Sequence, residues 1–497
     1  MMAFEEQILK SQQQGADLVR LVERSAEKGT AIHEVEEQLW QRVLALGLTL
    51  LKAYVARQGE GDLGATVEVP GGRTLRRLEG SHRRRYVSVF GEMEITRKVY
   101  AARESQKLEL IPLDAKLQLP ESETSLLLQH WDQAFCVHTS FAESKVGIER
   151  LLPVGQTVRG LEQMNRAMGS EVEAFRETVA APPPSEEGPL LVVAADGKGI
   201  PLVRDRDDPR PIGKRRSKGE KRNKKRMAAV GAVYTIDRHR RTADDLLEEV
   251  RRKKSDAQRP APQHKRVRAE LSRGEAGEES NGKDRLFAWV AEEVRARNPR
   301  NRKTVLFVMD GERSLWKQVQ ARFANAVGIL DLYHVLERLW QAAHCFCPEG
   351  SRAAEQLVEH HLRMILEGRV GYVIGALKQK QTKHGLRRSR ARTLQAVIGY
   401  LENNRRFMRY DEYLAAGYPI GSGVVEGACR HLVKDRMERT GMRWRVEGAQ
   451  AMLDVRATYL NGHWDQFFTF RVRENAKRHR EQRRITRSIE QRLAPAA

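Results

Sequence analysis

Cysteine is scarce: Cys136, Cys345, Cys347 and Cys429 are the only four in 497 residues. That is too few for a disulfide scaffold, and a reducing cytoplasm is the expected setting. The run HCFC, His344 to Cys347, has neither the wider cysteine spacing nor the second ligand pair of a zinc site, so these thiols read as core packing. No stretch of about 18 apolar residues occurs, and nothing is expected to span a bilayer. The start, MMAFEEQILKSQQQ, lacks a basic segment followed by an apolar one, so no secretory signal is expected. Acidic residues are outnumbered, 66 against 88 Lys and Arg, for a net charge of +22. A surplus of that sign bears on partners rather than fold, and it favours nucleic acid, whose phosphates release counterions when Lys and Arg replace them. The hydrophobic share of 40% is enough for real cores, and the length suggests about three domains.

Residues from about 30 to 57 follow a helical period through Leu39, Val43, Leu46, Leu50 and Val55. From about 66 to 102 the pattern alternates, and RYVSVFGEMEITRKVY predicts a hairpin turning near Phe90, Gly91 and Glu92. Helices return from about 122 to 180. There TSFAESKVGIERLL, a break at Pro153 and Gly155, and QTVRGLEQMNRAMG form either a helix-turn-helix or an ordinary helical hairpin. In the first case Val158, Leu161 and Met164 face inward, and Thr157, Arg159, Gln163 and Arg166 face a groove. APPPSEEGP, residues 181–189, is a proline-rich linker and marks a domain boundary. Beyond it, strand signals (LLVVAADGKG, MAAVGAVYTID, TVLFVMD, GILDLYHV) alternate with helix signals (LFAWVAEEVRAR, SLWKQVQARFANA, LERLWQAAHCF), the mark of an α/β sheet. Residues from about 240 to 283 read as loop with some helix. Residues from about 351 to 416 read as helix without strands. A basic helix closes the chain from Arg471, with nine Arg and Lys against three Glu.

Two of those strand signals meet an aspartate followed by glycine: Asp196 in AADGKG and Asp310 in VMDGER. One Asp-Gly pair is an ordinary turn signal. Two, at the carboxyl ends of parallel-type strands, fall where open α/β sheets collect ligands. Neighbouring carboxylates repel unless a cation lies between them, and hard oxygen ligands select Mg²⁺ or Mn²⁺. The best third acid is Glu426 in YPIGSGVVEGACRHLVKDRMERTGMRW. Ser422 is a candidate helix cap, but a capping box would need its acid at position 425, where Val425 stands. Glu426 is therefore either a helix-dipole partner or a functional ligand.

These residues resemble DDE transposases, and more closely the ISKra-type bacterial insertion-sequence transposases, which are related to the Mutator group. The resemblance is carried by ADGKGIP, KRMAAVGAVYTID, VMDGERSLW, DLYHVLERLW and GSGVVEGACRHLVKDRMERTGMRW, and covers about 190 to 460. It implies an α/β catalytic domain of ribonuclease-H-like fold, a mixed sheet flanked by helices and interrupted by an α-helical insertion, with N-terminal helical and β-hairpin DNA-binding regions. The implied layout is an N-terminal helix and hairpin region (1–110), a helix-turn-helix-like region (111–180), the linker (181–189), the first part of the core (190–345, with a basic insertion at 204–283), the helical insertion (346–417), the glutamate helix (418–460) and a basic C-terminal helix (461–497). The implied catalytic and metal-binding triad is Asp196, Asp310 and Glu426, holding Mg²⁺ or Mn²⁺, as a pair of ions. Asp331 and His334 form a D-x-x-H pair of accessory candidates, with Asp331 the alternative to Asp310 as ligand.

The implied activity is cleavage of DNA at the ends of an insertion sequence, then strand transfer. Terminal inverted repeats and target DNA are the partners, and pairing two ends calls for at least a homodimer. Candidate DNA contacts are Lys214, Arg215, Arg216, Lys224, Lys225 and Arg226 in a basic stretch, Arg159 in the helical pair, and Arg436, Arg439, Arg443 and Trp444 beside the glutamate helix. Trp444 either stacks on an unpaired base or packs as an ordinary tryptophan. Two other readings stay open: a structure-selective nuclease on the same fold, and a DNA-binding regulator with no enzymatic activity.

Overall fold

The computed structural model describes residues 2–80, 82–103, 108–203, 225–252, 259–272, 282–439 and 441–493. They fall into two compact units, Met1–Phe175 with His463–Ala497, and Arg176–Gly462. Among the described residues no helix is long and apolar enough to cross a membrane.

In the first unit two long helices, Met2–Lys28 and Ile32–Arg57, pack on each other around Gly29, whose φ of 62° lies in the left-handed region. Strands β1 (Thr66–Val69), β2 (Arg73–Arg77) and β5 (Tyr100–Ala101) form one antiparallel sheet, and β3 (His82–Ser88) with β4 (Gly91–Arg97) form a hairpin. Ser88 pairs with Gly91, so the hairpin turns at Val89 and Phe90, one residue earlier than the alternation suggested. After a short helix, Pro112–Leu117, come three longer ones: Leu126–Cys136, Phe141–Leu151 and Val158–Arg176. Ser140 and Glu143 close a capping box on the second. The third buries Leu161, Asn165, Met168, Val172 and Phe175. This corrects the expected inward face, since Val158 is exposed and Met164 only half-buried. The helical period runs through Asn165 instead, whose amide donates to Gln133 Oε1 at 2.9 Å and so costs nothing by being buried. The C-terminal basic stretch forms two helices, Trp464–Arg478 and Arg480–Leu493. Arg471 is held there by Glu171 at 2.6 Å and Gln129 at 2.9 Å, so it is a structural cation.

In the second unit β6 (Leu190–Pro201), β7 (Lys225–Ile236), β8 (Gln263–Leu271), β9 (Thr304–Met309) and β10 (Val327–Leu330) form one mixed sheet in the order β10-β9-β6-β7-β8. β6, β9 and β10 are parallel, and β7 runs antiparallel to both its neighbours. Both faces are buried, which explains why β6 and β9 read as continuous apolar runs. Leu191, Val193, Phe307 and Met309 pack against Phe287 and Val290 of the helix Gly282–Arg297 and Leu315 and Trp316 of Arg313–Arg322. Leu190, Val192, Leu306, Val308 and Ile329 pack on the other face, with the helix Leu332–Ala343 and the helical segment expected between it and Glu426. That segment comprises Arg352–Leu366, Val370–Lys383, Arg388–Asn404 and Tyr410–Ala415.

β8 corrects the loop expected at about 240 to 283. Its arginines are neutralised in place: Arg266 by Glu293 at 2.8 Å, and Arg268 by Glu270 at 2.7 Å, with Arg285 also on Glu270 at 2.9 Å. Its outer edge is closed by side chains. Gln450, on the helix Val446–Leu460, accepts from Leu271 N at 2.9 Å and donates to Ala269 O at 3.0 Å, and Asn461 does the same for Val267 at 2.8 and 3.1 Å.

The proline-rich stretch is pinned. The Glu187 carboxylate is fully enclosed and bound by Arg297 and by Lys303 Nζ at 2.5 Å. Removing one partner of a buried pair strands the other's charge. Glu187→Ala is therefore expected to lower unfolding stability by about 3–5 kcal/mol, read as a shift in a urea titration.

Candidate active site

Strand register brings the first acids together. β6 pairs with β9 from Leu190–Thr304 to Val193–Phe307, and β9 with β10 from Leu306–Val327 to Met309–Leu330. Carried past the last pairs, these registers put Asp196, Asp310 and Asp331 at one level. Asp331 N still donates to Met309 O at 2.8 Å, as the ladder requires. Period-two alternation then turns Asp196 and Asp310 to the same face as Val192 and Val308.

The expected strand ends need one correction. β9 does stop at Met309, but β6 continues to Pro201, with Asp196 opposite Val230 of β7. Asp196 thus sits at the fork where β9 leaves β6 while β7 stays paired. Gly197 is not a turn residue, since it lies inside β6; at Gly311 the chain does bend, with Glu312 N donating to Asp310 Oδ1 at 3.0 Å across it, and neither glycine has a left-handed φ. Both give clearance: a Cβ on Gly197 would come 3.0 Å from Met227 Cε, and one on Gly311 would come 2.5 Å from Tyr400 Cε2 and 2.8 Å from Asn404 Nδ2.

Asp331 is wholly buried and caps the helix Leu332–Ala343. Its Oδ1 accepts from Tyr333 N at 3.2 Å and Ser422 N at 3.1 Å; its Oδ2 meets His334 Nδ1 at 2.6 Å and accepts from Ser422 Oγ at 2.8 Å. Burial would raise its pKa, but these bonds outweigh burial and hold it below the usual range. Ser422 makes no cap of its own helix; its hydroxyl is committed to Asp331. Glu426 lies one turn on, in Gly423–Ala428, and reaches solvent. A π-helical turn, Cys429–Lys434, follows directly, and such turns are frequent at functional sites. It carries the Cys429 thiol, which donates to Asp196 Oδ2 at 3.4 Å.

Asp331, His334 and Glu426 each offer a ligand atom, and these atoms lie within 4.8 Å of one another. Among the described residues this is the group of three whose spacing suits a metal ion. Asp196 and Asp310 lie outside that radius but within electrostatic reach. Burial raises the Asp310 carboxyl, the Glu312 amide opposes that at 3.0 Å, and the Asp196 charge adds to it. Burial also raises Glu426, with Asp331 and Asp196 reinforcing the rise and His334 opposing it. The hydrogen bond to Asp331 lifts His334 to about 9 against the effect of burial, with the charges of Asp331, Asp310 and Glu337 contributing. Acids that raise one another's pKa, beside a histidine held protonated, form a site short of positive charge.

Beyond the expected residues the structure adds Ser422, Cys429, Glu312 with its partner Lys283, and Tyr400. Only Ser422 had a sequence signal, its place four residues before Glu426. The expected DNA contacts separate. Lys214, Arg215, Arg216 and Lys224 lie outside the described residues. Arg159 and Arg443 are exposed and Arg439 is half-buried. Lys225 is exposed and pairs with Glu438 at 2.7 Å, and Arg226 points at Ser272 O at 3.4 Å. Arg436 and Trp444 correct the expectation. Both are buried, with the guanidinium 4.9 Å from the indole centroid and Trp444 Nε1 donating to Met437 O at 3.1 Å. Trp444 N also donates to Pro201 O at 3.0 Å, so its main chain secures the end of β6 while the buried ring presents no face to a base.

No family model and no curated protein matches the chain. Among solved structures it is similar to the Drosophila P element transposase strand transfer complex, at 10% identity over 67% of this chain and 79% of that chain, with a TM-score of 0.22.

The raised His334 pKa has a definite sign in stability. The Asp331–His334 pair contributes fully below the ordinary histidine value of about 6.5, and its contribution is lost as pH rises through about 9. In metal-free protein the His334 ring is expected to titrate near 9 by NMR, and Asp331→Asn is expected to return it toward about 6.5.

Proposed function

We propose that this chain is a DNA transposase of the DDE type, with the activity that its resemblance to ISKra-type enzymes implies. The observation that carries the reading is the convergence of Asp331, His334 and Glu426 within 4.8 Å, at the strand level of Asp196 and Asp310. A ribonuclease-H-like core is supported by the topology: counted from β6, the strand order is 3-2-1-4-5, with the second strand opposed to the other four. The helical segment between β10 and Glu426 suits the interruption expected there.

The donor set fits Mg²⁺ or Mn²⁺. Its groups are carboxylate oxygens, and the raised Asp310 and Glu426 carboxyls would be relieved by a cation. Asp196, Asp310 and Glu426 would hold the ions. Asp331 is the weaker ligand, because both its oxygens are already committed to hydrogen bonds. It orients His334 instead, leaving Nε2–H to donate to a phosphate oxygen. When bound, divalent cations polarise the phosphoryl group and stabilise the attacking and leaving oxygens of an in-line displacement. In the first displacement water attacks phosphorus at the transposon end, the P–O bond breaks and a 3′-OH is released. In the second, that 3′-OH attacks a target phosphodiester and the target's 3′-OH leaves. Duplex DNA is the partner, in the form of terminal inverted repeats and target, and two ends call for at least a dimer.

The test is cleavage of duplexes taken from the DNA flanking the coding sequence, with Mg²⁺ or Mn²⁺. Asp196→Asn, Asp310→Asn and Glu426→Gln are each expected to cut cleavage by roughly a hundredfold to a thousandfold or more, with DNA binding retained. Substantial cleavage by one of these variants would remove its residue from the site. Strand transfer of a pre-cut end separates a transposase from a structure-selective nuclease. Binding to duplex is expected to weaken steeply between about 50 and 200 mM salt, and a flat response would count against phosphate contacts.

A further inference from the structure

Tyr400 belongs to the helix Arg388–Asn404, in the segment that reads from sequence only as an insertion. Its ring lies against the main chain immediately after Asp310. The space where a Gly311 side chain would begin is 2.5 Å from Tyr400 Cε2 and 3.1 Å from Cζ, the carbon that bears the hydroxyl. Arg338 covers the ring, its guanidinium carbon 4.9 Å from the centroid. Asn404 stands beside it, donating to Tyr400 O at 2.9 Å. The phenol is thus locked in place, yet its oxygen is enclosed with no hydrogen-bond partner of normal geometry. The Gly311 amide acts on that oxygen without reaching such geometry. Burial keeps the phenol protonated, and the negative charges of Asp310 and Asp331 reinforce this. A buried donor left without an acceptor is a liability to the fold, and one held beside an acidic cluster points to an acceptor that arrives with the functional state.

We propose that Tyr400 is a positioning residue, whose hydroxyl donates to the Asp310 carboxylate once a divalent cation draws that carboxylate into its bound orientation. The proposal rests on the reading that these acids hold cations. The helical segment then contributes directly to the site, by fixing one ligand from behind. Outer partners of this kind set ligand geometry and metal affinity without touching the metal. It also accounts for Gly311, because any side chain there would push the phenol away from Asp310.

The test is Tyr400→Phe in the full chain, which removes one oxygen and leaves the packing. Mn²⁺ alone is the probe, titrated by calorimetry, with thermal melts in EDTA and in subsaturating Mn²⁺. Three results are expected together. The variant melts in EDTA at the wild-type temperature or higher, since it loses only an unpaired hydroxyl. Its Mn²⁺ affinity falls by about tenfold to a hundredfold. The upward shift of its melt at subsaturating Mn²⁺ shrinks. Equal Mn²⁺ affinity in wild type and variant would overturn the proposal while leaving the metal-dependent reading intact. A lower melt in EDTA would also overturn it, because the hydroxyl would then have a structural partner. A wild-type protein that binds no Mn²⁺ would take down the metal-dependent reading, and this proposal with it.

Discussion

The site depends on one buried carboxylate. Asp331 ends β10, caps the helix that follows and binds both the main chain and the hydroxyl of Ser422, which begins the helix of Glu426. Residues 91 positions apart are thereby joined at a single side chain. A charge so enclosed is tolerable only when its bonds are complete, and those of Asp331 are complete on both oxygens. Its remaining contact is His334, so the group that fastens the two helices also sets the charge and orientation of the imidazole. Structure and chemistry are here the same set of hydrogen bonds.

Around that anchor the sheet supplies acids by register alone. Asp196 and Asp310 need no special loop to share a level; each stands three positions past the last β6–β9 pair, on parallel strands whose lower halves are pure core. The cost of burying acids side by side is visible in the raised Asp310 and Glu426 carboxyls, where burial is the larger cause and the neighbouring acids add to it. Such a cluster costs the fold some stability, which is the usual compromise at a charged site.

Much of this was legible in the chain. The alternation of apolar strands with amphipathic helices pointed to an α/β sheet, its mixed order came only with the family resemblance, and the paired Asp-Gly signals pointed to the level at which Asp196 and Asp310 stand. What escaped detection did so for physical reasons. β8 is a strand made of charges, and only its partners Glu293 and Arg285, distant in sequence, show how it is buried. Arg436 and Trp444 look like nucleic-acid contacts, because a cation beside an aromatic reads alike whether it faces solvent or itself. Tyr400 carried no signal at all; its relevance lies in a ring settling on a glycine 89 positions away. An aspartate followed by glycine is an ordinary turn signal, yet Gly197 serves only as clearance inside a strand and Gly311 as both bend and clearance, and sequence alone does not separate those uses.

The sealing of β8 by Gln450 and Asn461 has a consequence for assembly. Amide side chains occupy the hydrogen-bonding positions an incoming strand would need at Val267, Ala269 and Leu271. This flank of the sheet cannot be lengthened by another polypeptide, and accidental stacking of sheets edge to edge is blocked there.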